Sequence, residues 1–287
     1  MGRWLRKARS RWRWIFGGLL LAYALMFPTG RVANLLVLGA NHDSVDHGSA
    51  QQKIIRVDGR AVECWVARSP GAKEREPAAF SLMFTGKGGR VDQWIVMVAD
   101  AWKDKPVEVW GMNYPGSGGS DGPVELKLVS PTAVGVYDAM RKAAGSRPIF
   151  LQGASFGSAT ALSVAARRPV AGLILHNPPP LKQLIMGYYG WWNLWLVAGP
   201  VAMQIPDDLD ALASARAATA PCVFILSGAD HLVPPRYQQM VVHAYGGPKR
   251  VIDLPGLGHD APLTHDAAEE LARDQQWLWE QAGLGER

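Results

Sequence analysis

From Gln51 onward, strand-like and helix-like segments alternate along the chain, and this alternation restricts the possible folds more than any other feature. Lys53–Val57 and Ala61–Ala67 flank Asp58-Gly59, a two-residue hairpin signal. Phe80–Phe84, Val107–Met112, Pro148–Gln152, Val170–Leu175, Cys222–Leu226 and Arg250–Leu254 are short apolar runs of strand length. Between them Asp92–Trp102, Phe156–Arg167, Pro235–Tyr245 and His265–Ala282 have helical character. Ser130-Pro131 supplies an N-cap with proline at the first helical position, which predicts a helix from there to about Ala144. Strands alternating with helices predict an α/β fold, a mostly parallel central sheet covered on both faces. A chain that is 48% hydrophobic and 19% charged has the apolar material for such a core, which excludes wholesale disorder. No internal repeat interrupts the pattern.

The charge is uneven. Residues 1–40 hold seven bases and no acid, and residues 41–287 hold 23 bases against 25 acids. A nearly neutral body has no basic stripe with which to follow a phosphate backbone, so the pI near 9.3 does not indicate nucleic acid. Six of the bases precede an uncharged run from Trp14 to Phe27. As a helix that run is about 21 Å long, short of the roughly 30 Å hydrocarbon core. Arg13 and Trp12 at one end, and Pro28 to Gly30 at the other, complete a feasible single span by sitting in the headgroup layers. The alternatives are a soluble or interfacial helix and a cleaved signal peptide, for which Ala22-Tyr23-Ala24 offers a site. Cleavage there would leave Leu25-Met26-Phe27 as an apolar terminus, so an uncleaved anchor is the preferred reading. The positive-inside rule then keeps the N-terminus cytoplasmic and puts the body on the opposite, periplasmic or extracytoplasmic side.

The expected organisation is a basic N-terminus and anchor over residues 1–40, a linker over 41–50 and a catalytic domain over 51–287, with a cap at about 177–220. Residues 41–48 contain His42, Asp43, Asp46 and His47, which we read as a polar tether and not as metal ligands. Cys64 and Cys222 lie in apolar runs and are read as core side chains, which excludes a disulfide framework and a Cys-rich metal site.

The pattern G-x-S-x-G occurs twice. Gly118-Gly119-Ser120-Asp121-Gly122 has loop on both sides. Gly153-Ala154-Ser155-Phe156-Gly157 follows a strand and opens a helix rich in small residues. Only the second has the strand-turn-helix context that exposes a serine on a tight, strained turn, so Ser155 is the expected nucleophile. A serine hydroxyl needs a base to take its proton and an acid to orient that base; on such a scaffold the chain order is serine, acid, histidine. Among His176, His231, His243, His259 and His265, only His259 lies in a glycine-flanked loop directly after the last strand, while His243 and His265 fall on predicted helices. Asp230 follows strand Cys222–Leu226 directly; Asp207, Asp208 and Asp210 have no such strand before them, and Asp253 lies within the last strand. The expected triad is Ser155, Asp230 and His259.

At these residues the chain resembles the α/β-hydrolase superfamily, and more closely its membrane-anchored branch of Bem46-like and ABHD-type serine hydrolases. The resemblance covers about residues 80–262. It includes the strand-loop Phe84-Thr85-Gly86-Lys87-Gly88-Gly89, the turn from Asn113 to Gly122, the serine elbow and the Asp230 and His259 loops. It implies that Ser120 is structural. It also implies an oxyanion hole from the N–H groups of Phe156 and Lys87, although Thr85-Gly86-Lys87 replaces the His-Gly-Asn usual in the family.

In the cap, Tyr188, Tyr189, Trp191, Trp192 and Trp195 fall within eight residues. They suggest a lining for an acyl pocket, a seat at the membrane interface, or simple packing over the site. The expected activity is hydrolysis of a carboxylic ester, lipid or thioester, through an acyl-enzyme, on a small and lipophilic acyl substrate and without metal or organic cofactor. The rival readings are a serine peptidase acting on small peptides and a catalytically silent, membrane-tethered binding protein.

Overall fold

The computed structural model of the chain describes residues 12, 14–21, 30–193 and 195–285. Asp58 and Gly59 both take positive φ, 49° and 78°, the backbone demanded by a tight turn matched to strand twist. They join β1 (Gln51–Val57) to β2 (Arg60–Arg68) in an antiparallel hairpin. The remaining strands are β3 (Ala79–Phe84), β4 (Val107–Met112), β5 (Ile149–Ala154), β6 (Gly172–His176), β7 (Cys222–Ser227) and β8 (Lys249–Leu254). All eight form one sheet in the order β1-β2-β4-β3-β5-β6-β7-β8. β2 lies antiparallel to β4, and β3 to β8 are mutually parallel, so the loops after β3, β5, β6, β7 and β8 emerge along one edge.

Every residue of β3 and β7 is buried, as expected of parallel strands covered on both faces. Alternate side chains feed two cores. Leu82, Phe84, Leu173, Leu175 and Phe224 pack on one face beneath α2 (Leu126–Ala144), α3 (Phe156–Ala165), α6 (Ala211–Ala217) and α7 (Pro235–Ala244). On the other face Met83, Ile174, Val223 and Ile225 meet α1 (Ile95–Asp100) and α8 (His265–Gln281), around Trp102, Phe150 and Trp279. Two short cap helices, α4 (Leu181–Gly187) and α5 (Ala198–Met203), lie between β6 and α6. The expected α/β architecture with its mostly parallel sheet is therefore present.

One helix departs from expectation. α2 begins at Leu126, and Pro131 sits inside it, not at its start. Ser130 caps nothing; it is buried, with its hydroxyl 2.6 Å from Ser163 Oγ. The true N-terminus is capped from far away: Leu126 N–H donates to Asn34 Oδ1 at 3.0 Å. Burial of Leu126 and Val129 in the core then outweighs the backbone donor missing at Pro131.

Asn34 belongs to an N-terminal segment that folds onto the body. A helical turn, Arg31–Ala33, continues as the π-helical stretch Asn34–Leu38, and Ala33 and Leu38 are buried in the core beneath α2. Residues 41–48, expected as a linker, are also fixed to the body: Gly118 N–H donates to Asn41 O, Arg90 donates to Asp43 O, and His47 stacks on Trp65. Among the described residues no cluster of metal-ligating side chains occurs. Of the expected anchor, residues 14–21 are helical and exposed, while residues 22–27 lie outside the described residues. Among the described residues, no helix is long and apolar enough to cross a membrane.

Candidate active site

The turn after β5 is built by two glycines. A side chain at Gly157 would place its Cβ 2.2 Å from Phe84 O, and one at Gly153 would place it 2.4 Å from Gly157 O. Only bare backbone lets α3 approach the sheet this closely, and Ser155 is thereby forced to φ 51°, ψ −121° at the head of the helix. The strain is locked in by Ser155 N–H, which donates to His176 O on β6 at 2.8 Å. Ser155 is half-buried, between β5 and the helix it opens.

Two strands away, Asp230 follows β7 with its carboxylate buried and saturated. Oδ1 accepts from the N–H groups of Leu232 and Val233, both at 2.8 Å. Oδ2 accepts from Gln238 Nε2 at 3.1 Å and lies 2.6 Å from His259 Nδ1 on the loop after β8. With the carboxylate as acceptor, Nδ1–H is the donor, which leaves the Nε2 lone pair available for a proton. The structure thus brings Asp230 and His259 into contact and puts Ser155 on the same sheet edge. No hydrogen bond joins Ser155 Oγ to His259 among the described residues, a separation common before substrate draws such groups together.

The loop after β3 abuts the serine: a Cβ on Gly86 would lie 3.4 Å from Ser155 Cβ. Gly89 N–H donates to Gly86 O at 3.1 Å, closing a turn with Gly88 at φ +63°. That bond leaves the Lys87 N–H uncommitted within the turn, while the Lys87 side chain is exposed. The turn is held from several sides. Thr85 Oγ1 donates to Gly89 O, Tyr114 OH to Thr85 O, Asn41 Nδ2 to Gly88 O, and Gly88 N–H to Leu38 O. Phe156, the first residue of α3, has an N–H with no intrahelical carbonyl to reach.

The second G-x-S-x-G serine is differently placed. Ser120 is buried, its hydroxyl donating to Asn113 O at 2.8 Å and accepting from Glu63 N–H at 2.9 Å, which pins the 113–122 turn to β2. The same turn is braced by Glu63, whose carboxyl is lowered against its own burial by hydrogen bonds from Gly119 N–H, Asn113 and Gln52 and by the nearby Arg90. Other candidates fall outside the site. His243 and His265 are exposed on helices, Asp207 pairs with Lys182, and Asp210 caps α6.

Three neighbours of the site had no assigned role from sequence. Asn177, at φ 49°, donates to Ser227 Oγ and to His259 O, each at 3.1 Å, and so ties the ends of β6 and β7 to the histidine loop. Gln238 is fully buried and holds Asp230 from behind. His176 pairs in register with Ala154, beside the elbow. Its Nε2 is buried without a hydrogen-bond partner among the described residues, and burial, with His259 nearby, pushes its pKa down to about 4. A histidine at the end of a central strand is the only sequence signal for this group.

A family model described as the alpha/beta hydrolase fold matches residues 82–217. Two strains of Mycobacterium tuberculosis each contain an uncharacterised protein 30% identical to this chain over 135 residues, 47% of this chain and 46% of theirs. The match therefore spans about half the length of these relatives. Among solved structures, Est1E from Butyrivibrio proteoclasticus with ferulic acid bound superposes with a TM-score of 0.66 at 19% identity, covering 80% of this chain and 99% of that one. Acetyl xylan esterase 1 from Thermoanaerobacterium gives 0.60 at 15% identity over 89% and 93%, and the Pyrococcus horikoshii acylaminoacyl peptidase gives 0.59 at 14% over 81% and 41%. With its parallel sheet, its strained strand-to-helix serine and these likenesses, the chain has the α/β-hydrolase fold.

Proposed function

We propose that this chain is a membrane-anchored serine hydrolase of the Bem46-like, ABHD-type kind that cleaves carboxylic esters with lipophilic acyl groups. The observation that supports it most is the joint placement of a serine at φ 51° and an Asp230–His259 pair at 2.6 Å, on loops from one sheet edge. Ser155 Oγ attacks the acyl carbon while His259 Nε2 takes its proton. The tetrahedral oxygen is received by the N–H groups of Phe156 and Lys87, each worth roughly 3 kcal/mol of barrier. As the intermediate collapses, the imidazolium returns that proton to the leaving oxygen and an acyl-serine remains. Water, deprotonated by the same nitrogen, attacks the ester, and the proton ends on Ser155 as the acid leaves. Asp230 holds the tautomer throughout.

Anchoring rests on the uncharged run Trp14–Phe27 behind six bases, with the N-terminus cytoplasmic and the body across the membrane. A fluorophosphonate probe tests the chemistry: it should label wild type and Ser120→Ala but not Ser155→Ala. Labelling that survives in Ser155→Ala, or vanishes in a folded Ser120→Ala, defeats the assignment. Alkaline carbonate tests the anchor, because a spanning chain stays with the membrane and a released one refutes the span.

A further inference from the structure

The cap carries an apolar surface that the proposed chemistry does not use. From Gln183 to Pro206 the chain has no charged residue. Within that stretch Trp191, Trp192 and Trp195 are exposed, the first two at 66%, and Met203 reaches 86%. Their outward placement removes them from the lining of a closed acyl pocket. Tyr188 alone of the five cap aromatics turns inward enough to be half-buried, where it packs on Tyr237 at 6.2 Å. Exposed tryptophans grouped in this way, without charges between them, match the chemistry of a lipid headgroup layer, where an indole buries its ring and keeps its N–H wet.

The position of the N-terminal segment selects that occupant. The Arg31–Ala33 turn packs against α5, which Trp195 precedes by three residues and Met203 ends. Leu35 and Leu36, on the π-helical continuation, are exposed as well. Ala33 is buried in the body, so only Pro28 to Val32 separate the end of the uncharged run at Phe27 from the folded core. Arg31 and Val32 already belong to the helical turn on the body, which leaves Pro28 to Gly30 as tether, about 10 Å when fully extended. The headgroup layer on one side of a bilayer takes up roughly 5–8 Å of this. A chain that spans with Trp14–Phe27 has only a few ångströms of slack with which to hold its cap away from the surface.

We infer that the exposed cap face, with Trp191, Trp192, Trp195 and Met203, seats in the headgroup layer of the bilayer that holds the anchor. This rests on the anchored reading above. The seated face adjoins the catalytic loops: Tyr189 OH donates to Leu232 O at 2.8 Å, two residues beyond Asp230. An acyl chain leaving the bilayer would therefore meet the cap before it meets bulk water.

The test uses the full chain. Cys64 and Cys222 are both buried, so a cysteine introduced at the surface takes a maleimide fluorophore selectively. Trp192→Cys and Met203→Cys report on the cap, and Arg273→Cys, exposed on α8 across the sheet, is the control. Each is labelled with an environment-sensitive nitrobenzoxadiazole and reconstituted into phosphatidylcholine–phosphatidylglycerol vesicles containing doxyl lipid. In floated vesicles both cap labels should be blue-shifted, quenched by doxyl lipid and several-fold less accessible to iodide than the control. Cap labels as open to iodide as the control, in protein that floats, overturn the docking and leave the anchor standing. Labels shielded from both quenchers mean that protein covers the face, a second copy for example, and overturn it too. Protein that does not float refutes the anchor and the docking together.

Discussion

Replacing Ser155 by glycine should make the folded protein more stable than replacing it by alanine, the reverse of the usual order. At an ordinary position glycine costs about 0.5–1 kcal/mol relative to alanine, through the extra freedom it gives the unfolded chain. Ser155 is not at an ordinary position: at φ 51° and ψ −121° a Cβ is crowded by the backbone, which costs of order 1–3 kcal/mol. Alanine keeps that Cβ and its strain, whereas glycine releases it. The serine hydroxyl makes no hydrogen bond among the described residues, so both variants lose little else. The balance favours glycine by about 1 kcal/mol. In a domain of this size that is about 2–4 °C in Tm. Urea melts of the two variants in the same detergent, with equal slopes, measure the difference directly. A glycine variant that unfolds at or before the alanine variant would show that the elbow stores no strain, and the case for Ser155 as a held nucleophile would lose its physical basis.

Asp230→Asn should lower kcat by about four orders of magnitude by stabilising the wrong tautomer of His259, and adding His259→Ala should cost little more than the worse single change; additive losses would mean that the pair is not a unit. Gly157→Ala, with its Cβ 2.2 Å from Phe84 O, should reduce both folded yield and fluorophosphonate labelling, and a normally labelled variant would refute the packing described for α3. His176 is held neutral in the fold, with its pKa pushed from 6.5 to about 4, while the unfolded chain takes up a proton near 6.5. Its contribution to stability is therefore full above 6.5 and is lost as pH falls towards 4, about 3 kcal/mol in all. His176→Gln should flatten that part of the urea-midpoint profile, and a profile unchanged from wild type would count against the burial of this imidazole.

What was legible in the sequence was local. Asp58-Gly59 specifies its hairpin because both positive φ values are satisfied within two residues. Ser155, Asp230 and His259 stood out because each lies on the turn or loop that follows a strand, and parallel strands deliver their loops to one edge whatever the rest of the chain does. Groups whose roles depend on distant partners were silent. The start of α2 is set by Asn34, 92 residues before Leu126, so Ser130-Pro131 offered a better local cap that the fold does not use. Asn177 and Gln238 matter through Ser227, His259 and Asp230, none of them a sequence neighbour. Polar composition over residues 41–48 does not distinguish groups that face water from groups that bond Gly118 and Arg90.

The backbone that would leave the membrane is also the backbone that holds the turn carrying Lys87, the proposed oxyanion donor. Leu38 O accepts from Gly88 N–H, and Asn41 Nδ2 donates to Gly88 O, one residue from Lys87. A pull along the N-terminus is therefore a load on this turn, transmitted through about ten residues of folded segment. The same feature decides where the chain can be cut. Trimming to residue 45 removes Leu38 from the core, Asn34 from the start of α2 and Asn41 from the turn, and yields a body with a loosened site. A cut just before Gly30 discards the apolar run and keeps all three. A preparation that begins at residue 45 and proves inactive would thus report on the missing brace, and the proposed triad is to be tested in a chain that keeps it.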